Sequence, residues 1–320
     1  MRGGTERYDA LDIVDDLIEK TTALAEPAEQ RKKLPDRHYG LQETAFGSPR
    51  DFLDNRFVYA VVSARARGLS VGINMCPDKH CNFQCVYCEV HRNGEPREGQ
   101  LDVEAMAAEL KKTLVFVRGG RLRERPWYRT LPDELLQLRH VALSGDGEPT
   151  LSPRFAEALQ AVMHVRALSG FPFFKLVLLT NATGLDLPQV QQGLKHLTRS
   201  DEVWAKLDGG TQAYVNKVNR SEVPLEKILS NILLLGRQRP VVIQSLFPAI
   251  NGEEPPLEEI EQYSRRLLEL KNAGTQISLV QIYSATRPSF ISQSGHLPLK
   301  VLSRIAQTVR QTTGLTAEVF

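Results

Sequence analysis

The chain has 320 residues, 42% hydrophobic and 24% charged, with 40 Lys plus Arg against 38 Asp plus Glu for a net charge of +2. So large an apolar share with so little net charge excludes a disordered chain. It also excludes a global charge excess of the kind that advertises nucleic acid or a membrane surface, leaving only local patches. Apolar runs such as 176–179 and 232–235 fall far short of the ~18 residues that a membrane span needs. The first residues carry no apolar signal region, so a cytoplasmic chain with no membrane partner is expected.

Leu11, Val14, Leu17, Ile18 and Leu24 recur with a broadly helical period until Lys32-Lys33-Leu34-Pro35 breaks it. Residues 1–60 therefore read as an N-terminal helical extension packing on a core of residues 61–320. From Phe57 onward the pattern becomes regular. Strands are predicted at 57–64 and 70–75, turning at Arg67-Gly68, and a helix at 101–117. There follow a strand at 140–144, a helix at 153–168, a strand at 175–180, a helix at 187–197 and a strand at 202–207. Then come a helix at 225–235, a strand at 241–247, a charged helix at 256–270 and a strand at 276–283. A helix at 299–312 and an edge strand at 316–320 finish the chain. Strand and helix alternate about six times, which predicts parallel βαβ units with right-handed crossovers. Either an open barrel or a doubly wound sheet fits, and in both the reactive site lies at the carboxyl ends of the strands.

The cysteines carry the chemistry. All four lie between Cys76 and Cys88. A disulfide framework would spread its cysteines to staple distant loops, so this cluster reads as a metal or iron–sulfur site. Cys81-Asn-Phe-Gln-Cys85-Val-Tyr-Cys88 lets three thiolates converge from one tight loop. Four cysteines normally hold a [4Fe–4S] cluster, so three leave one iron open to a ligand. The plainer alternative is a structural zinc completed by Cys76, but only Cys85 and Cys88 have the C-x2-C spacing that zinc sites favour. Cys76 reads best as a small buried hydrophobe, with a latent fourth ligand or a reactive thiol near substrate as the alternatives. His80 and His91 flank the motif and read as surface or supporting groups.

The C-x3-C-x2-C spacing, with Tyr87 just before the last cysteine, resembles the radical S-adenosylmethionine superfamily. The resemblance implies a partial (β/α)6 TIM-like barrel, an α/β fold that matches the alternation above. It also implies a [4Fe–4S] cluster on Cys81, Cys85 and Cys88. Its open iron would chelate S-adenosylmethionine, which is cleaved to a 5′-deoxyadenosyl radical that takes hydrogen from a substrate. Ser144-Gly-Asp-Gly-Glu-Pro-Thr150 closes a barrel strand and resembles the family's glycine-glycine-glutamate motif, with Asp146 where a glycine usually stands. Gly145, Asp146, Gly147 and Glu148 are thereby expected near the methionine end of the cofactor, and Tyr87 against its adenine. Asn181, Lys206, Asp208, Gln244 and Tyr283 end further strands, with Ser245, Gln281, Ser284 and Arg287 close by. Lys206 and Asp208 are candidates for its ribose and carboxylate.

Together the Val-Tyr-Cys-Glu and Ser-Gly-Asp-Gly-Glu-Pro-Thr-Leu stretches resemble the wyosine-synthetase-like branch, whose characterised members rebuild a modified guanosine in transfer RNA. No flavodoxin domain accompanies them, so an external one-electron reductant of flavodoxin or ferredoxin type is implied. Arg118–Arg129 interleaves arginines with Trp127 and Tyr128, which suits RNA by phosphate contact and base stacking, though a solvated surface loop has the same composition. Asn216–Arg220 is a small polar patch with no specific signal. The expected substrate is thus RNA or a nucleotide, with a small metabolite or peptide as the alternative. A non-catalytic zinc or electron-transfer protein is the reading of a different class. Residues 1–60, the loop at 118–135 and the end of the last strand are expected to shape the pocket.

Overall fold

The computed structural model describes residues 52–90, 96, 98–168, 173–285 and 294–320. The chain divides into two compact units, Met1–Gln42 and Glu43–Phe320, and every described residue belongs to the second. The expected opening helix, His91 and Arg287 lie outside the described residues.

One eight-stranded sheet organises this unit. In the order in which they pair, its strands are β1 (Val58–Ser63), β2 (Gly68–Asn74), β3 (Leu138–Ser144), β4 (Lys175–Thr180), β5 (Glu202–Lys206), β6 (Val241–Leu246), β8 (Ile277–Tyr283) and β10 (Ala317–Val319). Two short strands, β7 (Ala249–Ile250) and β9 (Ser294–Gly295), pair apart from it. Strand β1 is antiparallel to β2, and every later pairing in the large sheet is parallel. A doubly wound sheet reverses its strand order at a switch point. Here the order follows the chain throughout, as in a barrel, and the sheet ends at β1 and β10 without closing.

The helices that link the strands are α1 (Val103–Arg118), α2 (Asp133–Leu136), α3 (Phe155–Leu168), α4 (Pro188–Leu194), α5 (Gln212–Asn219), α6 (Leu225–Gly236), α7 (Leu257–Asn272) and α8 (Leu299–Thr313). Side chains alternate between the faces of a strand. Val71, Ile73, Val141, Leu143, Leu176, Leu178, Val203, Ile243, Val280 and Ile282 share one fully buried cluster with Leu110, Leu159, Ile232, Leu267 and Ile305 of the helices. The opposite face carries a small apolar group of Val177, Trp204 and Val242, amid buried Ser70, Asn74, His140, Gln244 and Gln281. This polar inner face leads to the carboxyl ends of the strands.

Deep in the helical layer, Arg166 meets Asp201 at 2.6 Å, with side-chain exposures of 8% and 0%. Burial alone would raise the Asp201 carboxyl, but the Arg166 guanidinium, the amides of Leu176 and Thr198 and the Thr198 hydroxyl hold it below its ordinary value. Its contribution to stability is therefore present above the ordinary carboxylate range and lost as pH falls through the lowered one. Arg166→Leu leaves that carboxylate buried and unpaired. A loss of about 3–5 kcal/mol is expected in denaturant unfolding at neutral pH, shrinking under acid conditions.

The stretch at 118–129 departs from its expected form. It is ordered into two 3-10 turns, Arg121–Glu124 and Pro126–Tyr128. Tyr128 is wholly buried, its hydroxyl donating to the Ala60 carbonyl at 3.1 Å and its ring set edge-on to Phe52. Arg121 pairs with Glu124, Arg123 pairs with Asp133, and Arg125 lies over the Phe52 ring. The segment caps Phe116 and the outer side of the β1–β2 hairpin, which would otherwise face water. It then enters β3 at its amino end, opposite the carboxyl ends that carry the cysteine loop. It therefore does not shape a pocket there, and Tyr128 is not a stacking surface for bases.

Candidate functional site

The cysteine loop follows β2. None of its four cysteines forms a disulfide; Cys76 and Cys85 are buried, and Cys81 and Cys88 are half-buried. The loop is pinned to three neighbouring segments. Toward the β3 turn, the Glu148 amide donates to the His80 carbonyl at 2.9 Å, and the Cys76 thiol donates to the Glu148 carbonyl at 3.1 Å. Asn74 completes this clamp: its Oδ1 accepts from the Asp146 amide at 2.9 Å, and its Nδ2 donates to Oδ2 of Asp146 at 2.7 Å. Toward β4, Asn82 donates to Thr183 at 2.8 Å and accepts from Asn181 at 2.8 Å. Toward α5, the amides of Gln84 and Val86 donate to the carbonyls of Asn219 and Val218.

Two glycines make the β3 clamp possible. Gly145 has φ +128, and a Cβ there would lie 2.1 Å from Asn74 Oδ1. At Gly147 a Cβ would lie 2.0 Å from the His80 carbonyl oxygen and 2.5 Å from the Cys76 Cβ. The glycines thus permit the turn to lie directly against the cysteine loop.

Glu148 does not face outward with them. Its carboxylate is buried and accepts from the Thr150 amide at 3.0 Å, the Thr150 hydroxyl at 2.6 Å, the Thr180 hydroxyl at 2.5 Å and the Asn181 amide at 2.7 Å. Burial raises its pKa while these four donors pull it back. The side chain staples the end of β3 to the end of β4, and the hydrogen bonds from this residue to the cysteine loop are made by its backbone.

A second network joins the loop to β5, β6 and β8. Asp208 is buried; its Oδ2 accepts from the Tyr87 hydroxyl and from Asn219 Nδ2 at 2.8 Å. Its Oδ1 accepts from the Leu246 amide at 2.9 Å and pairs with Lys206 Nζ at 3.3 Å. Lys206 also donates to the Tyr283 hydroxyl at 3.3 Å and stands 5.0 Å from the centre of the Tyr87 ring. Burial is the largest single effect and opposes the Lys206 charge, but Asp208, Tyr283 and Cys85 together outweigh it and hold the ammonium protonated beyond its ordinary range. Gln244 donates to Gln281 at 3.0 Å on the same inner face. Tyr87, Lys206, Asp208 and Tyr283 are thus brought together as one cluster, Gln244 stands beside it, and Gly145, Asp146, Gly147 and Asn181 gather at the other side of the loop.

Asn219 is the member that sequence reasoning missed. Its Nδ2 lies 3.3 Å from Cys85 Sγ and 3.2 Å from the Tyr87 hydroxyl, in addition to Asp208. The only signal for it was the patch at 216–220, where α5 ends and Arg220 turns left-handed at φ 46.

Among the described residues no three of His, Cys, Asp or Glu are gathered into a group able to hold a metal ion. The donor chemistry nevertheless fits an iron–sulfur cluster. Three unbridged thiols on one loop are soft ligands, and hard cations would prefer oxygen. Burial, with Asp208 adding to it, pushes the Cys85 thiol up to about 12. Such a thiol stays protonated at neutral pH unless a cation displaces its proton, as metal coordination does.

No family model matches the chain. It is 31% identical over 179 residues to the UPF0026 protein slr1464 of Synechocystis, across 55% of this chain and 57% of that protein. It is 25% identical over 245 residues to a UPF0026 protein of Helicobacter pylori, across 74% of this chain and 70% of that protein. The chain thus spans little more than half the length of the first of these relatives. Among solved structures it resembles TYW1 with a lysine–pyruvate adduct bound, with a TM-score of 0.52 at 14% identity over 81% of this chain and 85% of that one. It resembles Streptococcus suis SuiB bound to S-adenosylmethionine with a TM-score of 0.52 at 14% identity, over 76% of this chain and 49% of that one. At such identity the likeness is one of architecture. TYW1, a wyosine synthetase, and SuiB are radical S-adenosylmethionine enzymes, and the open, mostly parallel α/β sheet is the fold that this chain shares with them.

Proposed function

We propose that this protein is a radical S-adenosylmethionine enzyme whose Cys81, Cys85 and Cys88 hold a [4Fe–4S] cluster. The observation that carries the reading is a loop of three unbridged thiols clamped onto the carboxyl ends of β3, β4 and β5, where this fold class places its chemistry. When bound, the reduced cluster and S-adenosylmethionine supply a 5′-deoxyadenosyl radical for hydrogen abstraction.

The chain's own residues then divide the work. The backbone of Gly145, Asp146 and Gly147 approaches the loop closely enough to hold the methionine end of the cofactor, while Glu148 sets that backbone from below. Asp208, fixed by four donors, orients Tyr87 and Lys206 on the other side. Asn181, Gln244 and Tyr283 add polar groups along the β4, β6 and β8 side of the site. An external reductant of flavodoxin or ferredoxin type delivers the electron. The arginine-rich stretch that spoke for RNA packs away from the site with Tyr128 buried, so the substrate this reading favours is a small metabolite or peptide entering the inner face of the sheet. No helix among the described residues is long and apolar enough to cross a membrane.

The test is anaerobic reconstitution with iron and sulfide, then incubation with dithionite and S-adenosylmethionine. Release of 5′-deoxyadenosine is expected from the wild type and not from Cys81→Ala or Cys88→Ala. An iron-loaded wild type that binds S-adenosylmethionine but leaves it uncleaved under every reductant would remove the radical reading.

A further inference from the structure

Other arginines near the sheet have an acceptor: Arg139, Arg239 and Arg310 donate to backbone carbonyls, and others meet carboxylates. Arg67 meets Glu318 at 2.6 Å, an ion pair that spans the two edge regions of the open sheet. Arg166 has Asp201, Arg121 has Glu124, and Arg304 has Glu254. Arg65, half-buried in the turn between β1 and β2, pairs with no carboxylate among the described residues. Its guanidinium lies 4.2 Å over the centre of the Tyr283 ring. Lys206 Nζ lies 5.5 Å from the centre of that same ring.

One aromatic ring therefore carries two cations, and the carboxylate beside them, Asp208, is already bound to Lys206. The ring quadrupole attracts each cation but does not cancel their charge. His140 adds no third positive charge: burial, with Lys175 and Arg65 nearby, pushes its pKa down to about 3 and leaves it neutral. The hydrogen bonds tell the same story. Tyr283 accepts from Lys206, and its own proton has no acceptor among the described residues. A guanidinium fork and a phenol proton thus point to one missing partner, an acceptor with negative charge. Carboxylate and phosphate both match the planar fork of arginine.

We propose that Arg65 and Tyr283 seat an anionic group of the substrate, a carboxylate or a phosphate, at the inner face of the sheet. The proposal rests on the reading of the cysteine loop as the cluster site, and it deepens that reading by giving the substrate a charge. A continuous line of contacts runs from Cys85 through Asn219, Asp208 and Lys206 to Tyr283 and Arg65. The anion would sit at the far end of that line, and the neutral part of the substrate would extend toward the cysteines.

The test uses the full-length protein with inorganic phosphate and acetate as separate probes, followed by phosphorus line broadening and by saturation-transfer NMR. The wild type is expected to bind at least one probe, and the tighter of the two names the group. Arg65→Gln should weaken that binding roughly tenfold, and Arg65→Lys should recover only part of the loss. Tyr283→Phe keeps the ring and removes the proton donor; a several-fold loss there is expected and carries the test if Arg65→Gln does not fold. Arg121→Gln, a surface change, should bind as the wild type does. Binding must persist with S-adenosylmethionine in excess; displacement of the probe would assign the site to the cofactor and overturn the proposal. Failure of both probes, or equal binding by Arg65→Gln, overturns it too. Iron content of the same wild-type preparation is read separately, so a failed cluster reading shows as absent iron whatever the probes do.

Discussion

Cys85→Ala is expected to abolish iron loading and the cleavage of S-adenosylmethionine, whereas Cys76→Ala keeps both. The two thiols are buried alike but are held differently. Cys85 sits between Cys81 and Cys88 on the loop, with Asn219 directed at its sulfur and Asp208 beyond. Cys76 lies behind the loop, its thiol spent on the Glu148 carbonyl, and burial beside Glu148 raises its pKa beyond the ordinary thiol range. Its loss costs one weak hydrogen bond and a small buried group, about 1–2 kcal/mol, without removing a cluster ligand. Iron per chain, measured after anaerobic reconstitution, separates the two variants. Loss of iron in Cys76→Ala with retention in Cys85→Ala would mean that the ligands are assigned wrongly.

Gly147→Ala is expected to damage the site without touching a cysteine. The added methyl would stand 2.0 Å from the His80 carbonyl oxygen, which is backbone and has no side-chain torsion to give. Either the β3 turn or the loop must move, and the hydrogen bond from the Glu148 amide to that carbonyl breaks first. Overpacking of this kind costs about 1–3 kcal/mol. A lowered Tm of the metal-free protein and weakened iron retention are both expected. A variant with wild-type Tm and full iron would show that the clamp between turn and loop does not matter.

Much of this architecture is legible in the residues themselves. Lys175–Thr180 reads as a strand because its apolar run fits between two buried faces, and it forms one with the same ends. The turn at Arg67-Gly68 and the helix ending near Arg118 follow equally local signals. What escapes is what depends on distant partners. Helix α5 has only eight residues and a polar sequence, so its periodicity is weak, yet it brings Asn219 to the cysteine loop. Glu148 reads as an outward ligand because nothing local reveals that Thr180 and the Asn181 amide await it from the next strand. The arginines at 121–125 read as a solvated or nucleic-acid-binding loop because composition does not disclose that Leu122 and Tyr128 fill a satellite core. Arg65 carries no motif at all; its place against Tyr283 arises from the β1–β2 hairpin reaching across the open sheet.

The measurement that bears most directly on the cluster is elemental: iron, acid-labile sulfide and zinc per chain in protein purified and kept without oxygen. About four irons and four sulfides per chain, with no stoichiometric zinc and a requirement for Cys81, Cys85 and Cys88, is the predicted result. Stoichiometric zinc without iron or sulfide would contradict the account, making the loop a structural metal site on a fold built for other chemistry.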